Sequence, residues 1–192
     1  MTNFLLSHFT LVSSLGRGLS ATLAALRQGR SGLRPCDFDT VSLATHIGMV
    51  EGLDANPIEG ALAQHDCRNN RLARLALAQD GFADAVAVAR ARYGADRIGV
   101  FAGTSTAGIF SSELAFRRRD PATGALPGDF YYHGTQSTYS IADFVQRDLG
   151  LEGPALVVSA ACASTAKAFA SAARMIELGL CDAAVVGGAD SL

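Results

Sequence analysis

Pro154-Ala155-Leu156-Val157-Val158-Ser159-Ala160-Ala161-Cys162-Ala163-Ser164-Thr165-Ala166 is the stretch on which the fold turns. Its apolar, β-branched opening, entered through Gly153-Pro154, reads as a buried strand. Beyond Cys162 the residues are mostly good helix formers. Ser164 and Thr165 stand near the start of that run and Gly179 just past its end. Ala166, Phe169, Ala173 and Ile176 recur at three- and four-residue spacing, which predicts an amphipathic helix over 163–178. Cys181-Asp182-Ala183-Ala184-Val185-Val186-Gly187-Gly188-Ala189-Asp190 follows as a second apolar strand ending in paired glycines. The unit is strand, helix, strand, and in such units sites gather beyond the carboxyl ends of the strands.

Cys162 stands at that corner. Unpaired backbone N–H groups and the positive end of the helix dipole favour an anion there, which brings the thiolate nearer neutral pH. A thiolate so placed takes up an acyl group and hands it on. A lone cysteine at a corner is more often structural filling; the strand–helix–strand setting is what favours chemistry here.

Working outward, the sequence predicts a strand at 4–12, a helix near 18–29, a loop-rich stretch through Pro57, one long helix from about Asn70 to Tyr93, and a strand at 97–102. An insertion-like region at 109–150 carries Arg117-Arg118-Arg119-Asp120, turn signals at Pro121 and Pro127-Gly128, and a helix near 137–149. Strands alternating with helices predict an α/β fold, mainly parallel sheet with helices on both faces.

Val158 to Ala166, followed by Ala173 to Asp190, resembles the active-site signature of the β-ketoacyl-acyl-carrier-protein synthases. Leu15-Gly16 with Ala25 to Gly32 resembles that family's opening strand and first helix. Gly103-Thr104-Ser105-Thr106-Ala107-Gly108 resembles its glycine-rich turn near the acyl pocket, and Leu149 to Pro154 its lead-in to the nucleophile strand. The resemblance runs over residues 1–192 and is confined to the family's amino-terminal half. It implies one half of a thiolase-like fold, the two histidines and the lysine of the second half having no place in this chain.

The resemblance also implies roles. Cys162 is the nucleophile, Thr104, Ser105 and Thr106 line the acyl pocket, and Arg68 and Arg71, with Arg118 beside them, belong to a basic patch that receives the acyl carrier protein. The implied reaction is decarboxylative condensation of malonyl-carrier protein with an acyl group held on Cys162, without metal or organic cofactor. The implied assembly is a homodimer, or a heterodimer, in which the strand at 154–158 pairs with its twofold mate. Gly29 to Cys36 and Leu180 to Asp182 look like synthases of polyene-type pathways rather than housekeeping fatty-acid enzymes. Two other readings stay open: a non-condensing, chain-length-factor-like partner, and a thiolase-like acyltransferase using coenzyme A directly.

Composition bounds the remainder. At 192 residues and 49% hydrophobic the chain suffices for one well-cored domain. A net charge of −2 and a pI near 6.0 argue against a nucleic-acid partner. Cys36, Cys67, Cys162 and Cys181 lack Cys-x-x-Cys spacing, so neither a zinc site nor a disulfide framework is expected. Free thiols and an interrupted apolar start without a basic region point to a cytoplasmic protein with no signal peptide or membrane span. His8, His46, His65 and His133 match no motif. Lys167 lies five residues after Cys162, about 140° around a helix, and does not share its face. Ile109 stands where a phosphate-binding loop needs lysine.

Overall fold

The layers follow from side-chain alternation along two strands. The structure is a computed structural model that describes residues 4–38 and 41–191. In chain order it contains a tight hairpin of β1 (Val12–Ser13) and β2 (Gly16–Arg17), helix α1 (Gly18–Arg27) and a hairpin of β3 (Leu33–Pro35) and β4 (His46–Gly48). Helices α2 (Arg68–Leu77) and α3 (Phe82–Tyr93) lead to β5 (Ile98–Gly103). Then come α4 (Ile109–Arg117), α5 (Tyr132–Thr135), α6 (Ser140–Asp148), β6 (Ala155–Val158), α7 (Ser164–Glu177) and β7 (Ala183–Gly188).

β5, β6 and β7 form a parallel sheet in the order β6-β5-β7, with Gly103 opposite both Val158 and Gly188. β5 is buried along its whole length. Ile98, Val100 and Ala102 point from it into a core with Leu77, Val86, Ile141, Phe144 and Val145, contributed by α2, α3 and α6. Phe101 points the other way, against Ala168, Ala172 and Cys181. β7 divides alike, Val185 toward the first core and Val186 toward the second. Each large side chain so buried contributes about 1.5–3 kcal/mol. The expected parallel sheet with helices on both faces is present.

Three details differ from the sequence reading. The long helix is broken, because Asp80 (φ 55°) and Gly81 (φ 68°) adopt the left-handed region between α2 and α3. Asp80 uses the bend to accept hydrogen bonds from Thr10 Oγ1 and the Leu19 N–H, tying the amino-terminal segment to α2. The expected strand at 4–12 shrinks to Val12–Ser13, since residues 4–11 have no ladder partner. An open apolar groove of about 460 Å³, lined by Leu6, Phe9 and Leu11 on one side and Val185 to Asp190 on the other, separates them from β7. On α7, the residues turned to the sheet are Ser164, Ala168 and Ala172, while Ala166 and Phe169 are exposed. Small residues face the sheet because the helix lies almost upon it at Gly103 and Gly188.

Candidate active site

Because the three strands run parallel, their carboxyl ends meet at one edge. The Thr104 N–H donates to the Val158 carbonyl at 3.2 Å and the Ala189 N–H donates to the Gly103 carbonyl at 3.3 Å. The turn after β5 therefore sits between the Cys162 corner after β6 and Asp190 after β7.

The corner is a backward-folding turn. The Ala163 N–H donates to the Ala160 carbonyl and the Ser164 N–H to the Ala161 carbonyl, each at 3.1 Å. Ala161 is held at φ 48°, a left-handed conformation that costs a non-glycine residue on the order of 1–2 kcal/mol. Ser164 secures it. Its buried hydroxyl accepts from the Ala160 N–H at 2.8 Å and donates to the Ala161 carbonyl at 2.7 Å. Cys162 stands exposed on this turn, two residues before the first residue of α7.

The opposing turn is just as tightly held. Thr104 is buried, Ser105 exposed and Thr106 between, and Ala107 is again left-handed at φ 47°. Asp190 Oδ1 accepts from Thr104 Oγ1 (2.9 Å), the Ser105 N–H (2.7 Å), the Thr106 N–H (3.1 Å) and Thr106 Oγ1 (3.0 Å). Partial desolvation acts to raise the Asp190 pKa, but these four donors outweigh it and hold the carboxyl below its ordinary range. Buried Asn69, on the first turn of α2, donates to Thr104 Oγ1 at 3.2 Å. Ser105 Oγ lies 3.3 Å from Ser164 Oγ, so the two turns touch through their hydroxyls. Ser164 and Asn69 were not singled out from sequence as functional. A serine two residues after the thiol was a legible signal; an asparagine 93 positions before it in the chain was not.

The arginines are differently placed. The Arg68 side chain is only 13% exposed: its guanidinium lies over the Phe38 and Phe110 rings, 5.2 and 5.5 Å from their centroids, and pairs with Asp54 at 3.4 Å. Arg71 donates to Asp66 through Nε (2.6 Å) and through a second, shorter bond from its terminal nitrogen. Burial acts to raise the Asp66 pKa, and the Arg71 bonds bring it below the ordinary value. Arg118 is open to solvent and pairs with Asp129 at 2.9 and 3.2 Å. Arg68 and Arg71 thus spend their charge locally, whereas Arg118 holds a surface pair. His65 is buried beside Asp143 and takes no part at the strand edge. Among the described residues no His/Cys/Asp/Glu group has the makings of a metal site, and no helix is long and apolar enough to cross a membrane.

A family model for the β-ketoacyl synthase N-terminal domain matches residues 9–192. The chain belongs to the β-ketoacyl synthase family. This synthase domain is 28% identical over 188 residues to 3-oxoacyl-[acyl-carrier-protein] synthase 2 of Vibrio cholerae serotype O1, covering 94% of this chain and 44% of that protein. It is 36% identical over 103 residues to polyketide synthase ThaG of Burkholderia thailandensis, covering 52% of this chain and 2% of that protein. Its structure resembles that of the ketosynthase ApeO, solved in complex with its chain length factor ApeC from Xenorhabdus doucetiae, with a TM-score of 0.75 and 30% identity. That alignment covers 97% of this chain and 46% of the other, so the domain spans less than half the length of these relatives. The thiolase-like α/β fold expected from the sequence is thereby established.

Proposed function

We propose that this domain is the acyl-accepting half of a 3-oxoacyl-acyl-carrier-protein synthase, with Cys162 as the nucleophile. The observation that carries the reading is the exposed thiol on a strained, Ser164-pinned corner at the carboxyl edge of the sheet, a corner whose Ser164 hydroxyl meets Ser105 of the Thr104–Thr106 turn. The Cys162 thiolate attacks the carbonyl carbon of a carrier-bound acyl thioester. A new carbon–sulfur bond forms, and the carrier thiol leaves with a proton. In the second stage malonyl-carrier protein loses carbon dioxide, and its carbanion attacks the acyl-enzyme. Cys162 departs as thiolate, and a 3-oxoacyl product remains on the carrier. Groups of a second, similar half would support that decarboxylation; the open groove beside β7 and the exposed Leu5, Leu6 and Phe9 offer an apolar face for it. β6 is an edge strand and suits pairing with a twofold mate or a related partner subunit.

Thr104, buried and bonded to Asp190, anchors the turn by which Thr104, Ser105 and Thr106 would line the acyl pocket. Carrier docking falls to Arg118, whose charge is open to solvent, while Arg68 and Arg71 are held in local pairs.

Intact-mass measurement after incubation with acyl-carrier protein, and separately with acyl-coenzyme A, tests the assignment. The expected outcome is one acyl adduct on Cys162, formed faster from the carrier and absent in Cys162→Ala. An adduct that persists in Cys162→Ala overturns it. Preference for acyl-coenzyme A would favour a thiolase-like acyltransferase, and no adduct from either donor a non-condensing partner.

A further inference from the structure

The nucleophile corner does not stand alone, because hydroxyl protons fix a direction of support across three strands. The single proton of the Ser164 hydroxyl goes to the Ala161 carbonyl, so in the Ser105–Ser164 pair the donor is Ser105. Ser105 reaches that position because its own N–H is held by Asp190 at 2.7 Å. The protons of Thr104 and Thr106 also go to Asp190, which leaves their oxygens to accept from Asn69 Nδ2 at 3.2 Å and from the Ser191 N–H at 3.2 Å. The hydroxyl protons of Ser105, Thr104 and Thr106 therefore have one consistent set of directions. All four bonds to the carboxylate fall on Oδ1.

We propose that Asp190 is a positioning residue for the Cys162 thiol, acting through the Thr104–Thr106 turn and the Ser105–Ser164 hydroxyl pair. A carboxylate gathering four donors gives the turn one conformation, and a turn with one conformation presents Ser105 to Ser164 at one distance. Ser164 in turn holds the left-handed Ala161 beside the thiol. Without the brace, Ala161 relaxes toward the ordinary right-handed region and swings Cys162 away from the acyl carbonyl. The inference rests on the reading of Cys162 as the acyl acceptor, but the bracing itself does not.

Two measurements on the full 192-residue chain separate these layers: amide hydrogen exchange of the segment 159–165, and the rate at which acyl-carrier protein acylates Cys162. Asp190→Ala is expected to speed exchange at 159–165 and to slow acylation, each by about tenfold. Asp190→Asn keeps a carbonyl oxygen in the place of Oδ1 and recovers most of both. Ser105→Ala cuts the path between the turns: it slows acylation and loosens 159–165 while the Ser105–Thr106 amides stay protected. A residue that merely stabilised the fold would lower the melting temperature without this split. Unchanged exchange at 159–165 in Asp190→Ala overturns the proposal. If that variant does not fold, unchanged exchange and acylation in Ser105→Ala overturn it equally. If exchange responds as expected but no form of the chain takes up acyl groups, the acyl-acceptor reading fails and the brace stands.

Discussion

Gly103 lies directly under the first turn of the Cys162 helix: a methyl on its Cα would come 2.5 Å from the Thr165 nitrogen and 2.7 Å from the Ser164 carbonyl carbon. Both are backbone atoms, which no rotamer change can move aside. Gly103→Ala should therefore push α7 off the sheet, costing about 1–3 kcal/mol and lifting the corner that carries the thiol. The measurements are urea unfolding and the acylation rate, and acylation should fall by more than the stability change explains. A variant with wild-type unfolding and wild-type acylation would mean that the helix does not need this close approach.

Acid should weaken the domain in a window set by His65. Its ring is buried, which depresses its pKa below the ordinary 6.5; Asp143, 3.4 Å away, opposes the shift, Arg147 reinforces it, and the Gly134 carbonyl opposes it. A group whose folded pKa is depressed contributes stability that is fully present above its unfolded pKa. That stability is lost as the pH falls from 6.5 toward the folded value, because the unfolded chain binds the proton first. The urea midpoint should drop as the pH falls below 6.5, and His65→Gln should flatten that slope. Asp66, whose pKa lies below 3.8, acts only at lower pH, whereas Asp148, raised by burial against the pull of Arg74, adds stability as the pH falls; the difference between wild type and His65→Gln isolates the histidine. An equal slope in wild type and His65→Gln would refute the assignment.

The four thiols should react in an order set by burial. Desolvation raises the pKa values of Cys67 and Cys181, and both are almost completely enclosed, whereas Cys162 is exposed and Cys36 partly so. Brief treatment of the native protein with iodoacetamide, followed by peptide mapping, should modify Cys162 foremost, then Cys36. Cys67 and Cys181 should be modified only after unfolding. Early labelling of Cys181 would show that the Phe101–Ala168–Ala172 core opens under native conditions.

These groups were unequally legible in the sequence. The two strands around Cys162 could be read because a sheet covered by helices leaves a continuous apolar run, although β6, expected to be buried, is an edge strand that is only half-buried, with Leu156 exposed; the helix between them could be read because its ends are marked. The break at Asp80-Gly81 is a turn dipeptide embedded in a strongly helical context, so local propensity on either side concealed it. The strand expected at 4–12 failed for the opposite reason. Its apolar pattern is suitable, but strand structure depends on a ladder partner, which the pattern does not contain. On α7, periodicity identified an apolar stripe, yet the face turned to the sheet is the one with the smallest residues, since Gly103 and Gly188 admit nothing larger. The Asp190 contacts join residues 84–86 positions apart, a separation at which only the folded sheet brings them together.

Separating the arginines is the sharpest test of how a carrier protein would approach. Arg68 lies over the Phe38 and Phe110 rings, so Arg68→Ala removes packing as well as charge and should lower stability by about 1–3 kcal/mol, slowing acylation from every donor alike. Arg118 is different. Its pair with Asp129 lies in solvent, where screening leaves it weak, so an acidic carrier surface can displace Asp129 at little cost. Arg118→Glu should leave the unfolding midpoint nearly unchanged. It should slow acylation from acyl-carrier protein several-fold at low salt and leave acylation from acyl-coenzyme A alone, with the difference shrinking as ionic strength rises. If both donors slow together in Arg118→Glu, or neither does, docking at this edge of the domain is refuted.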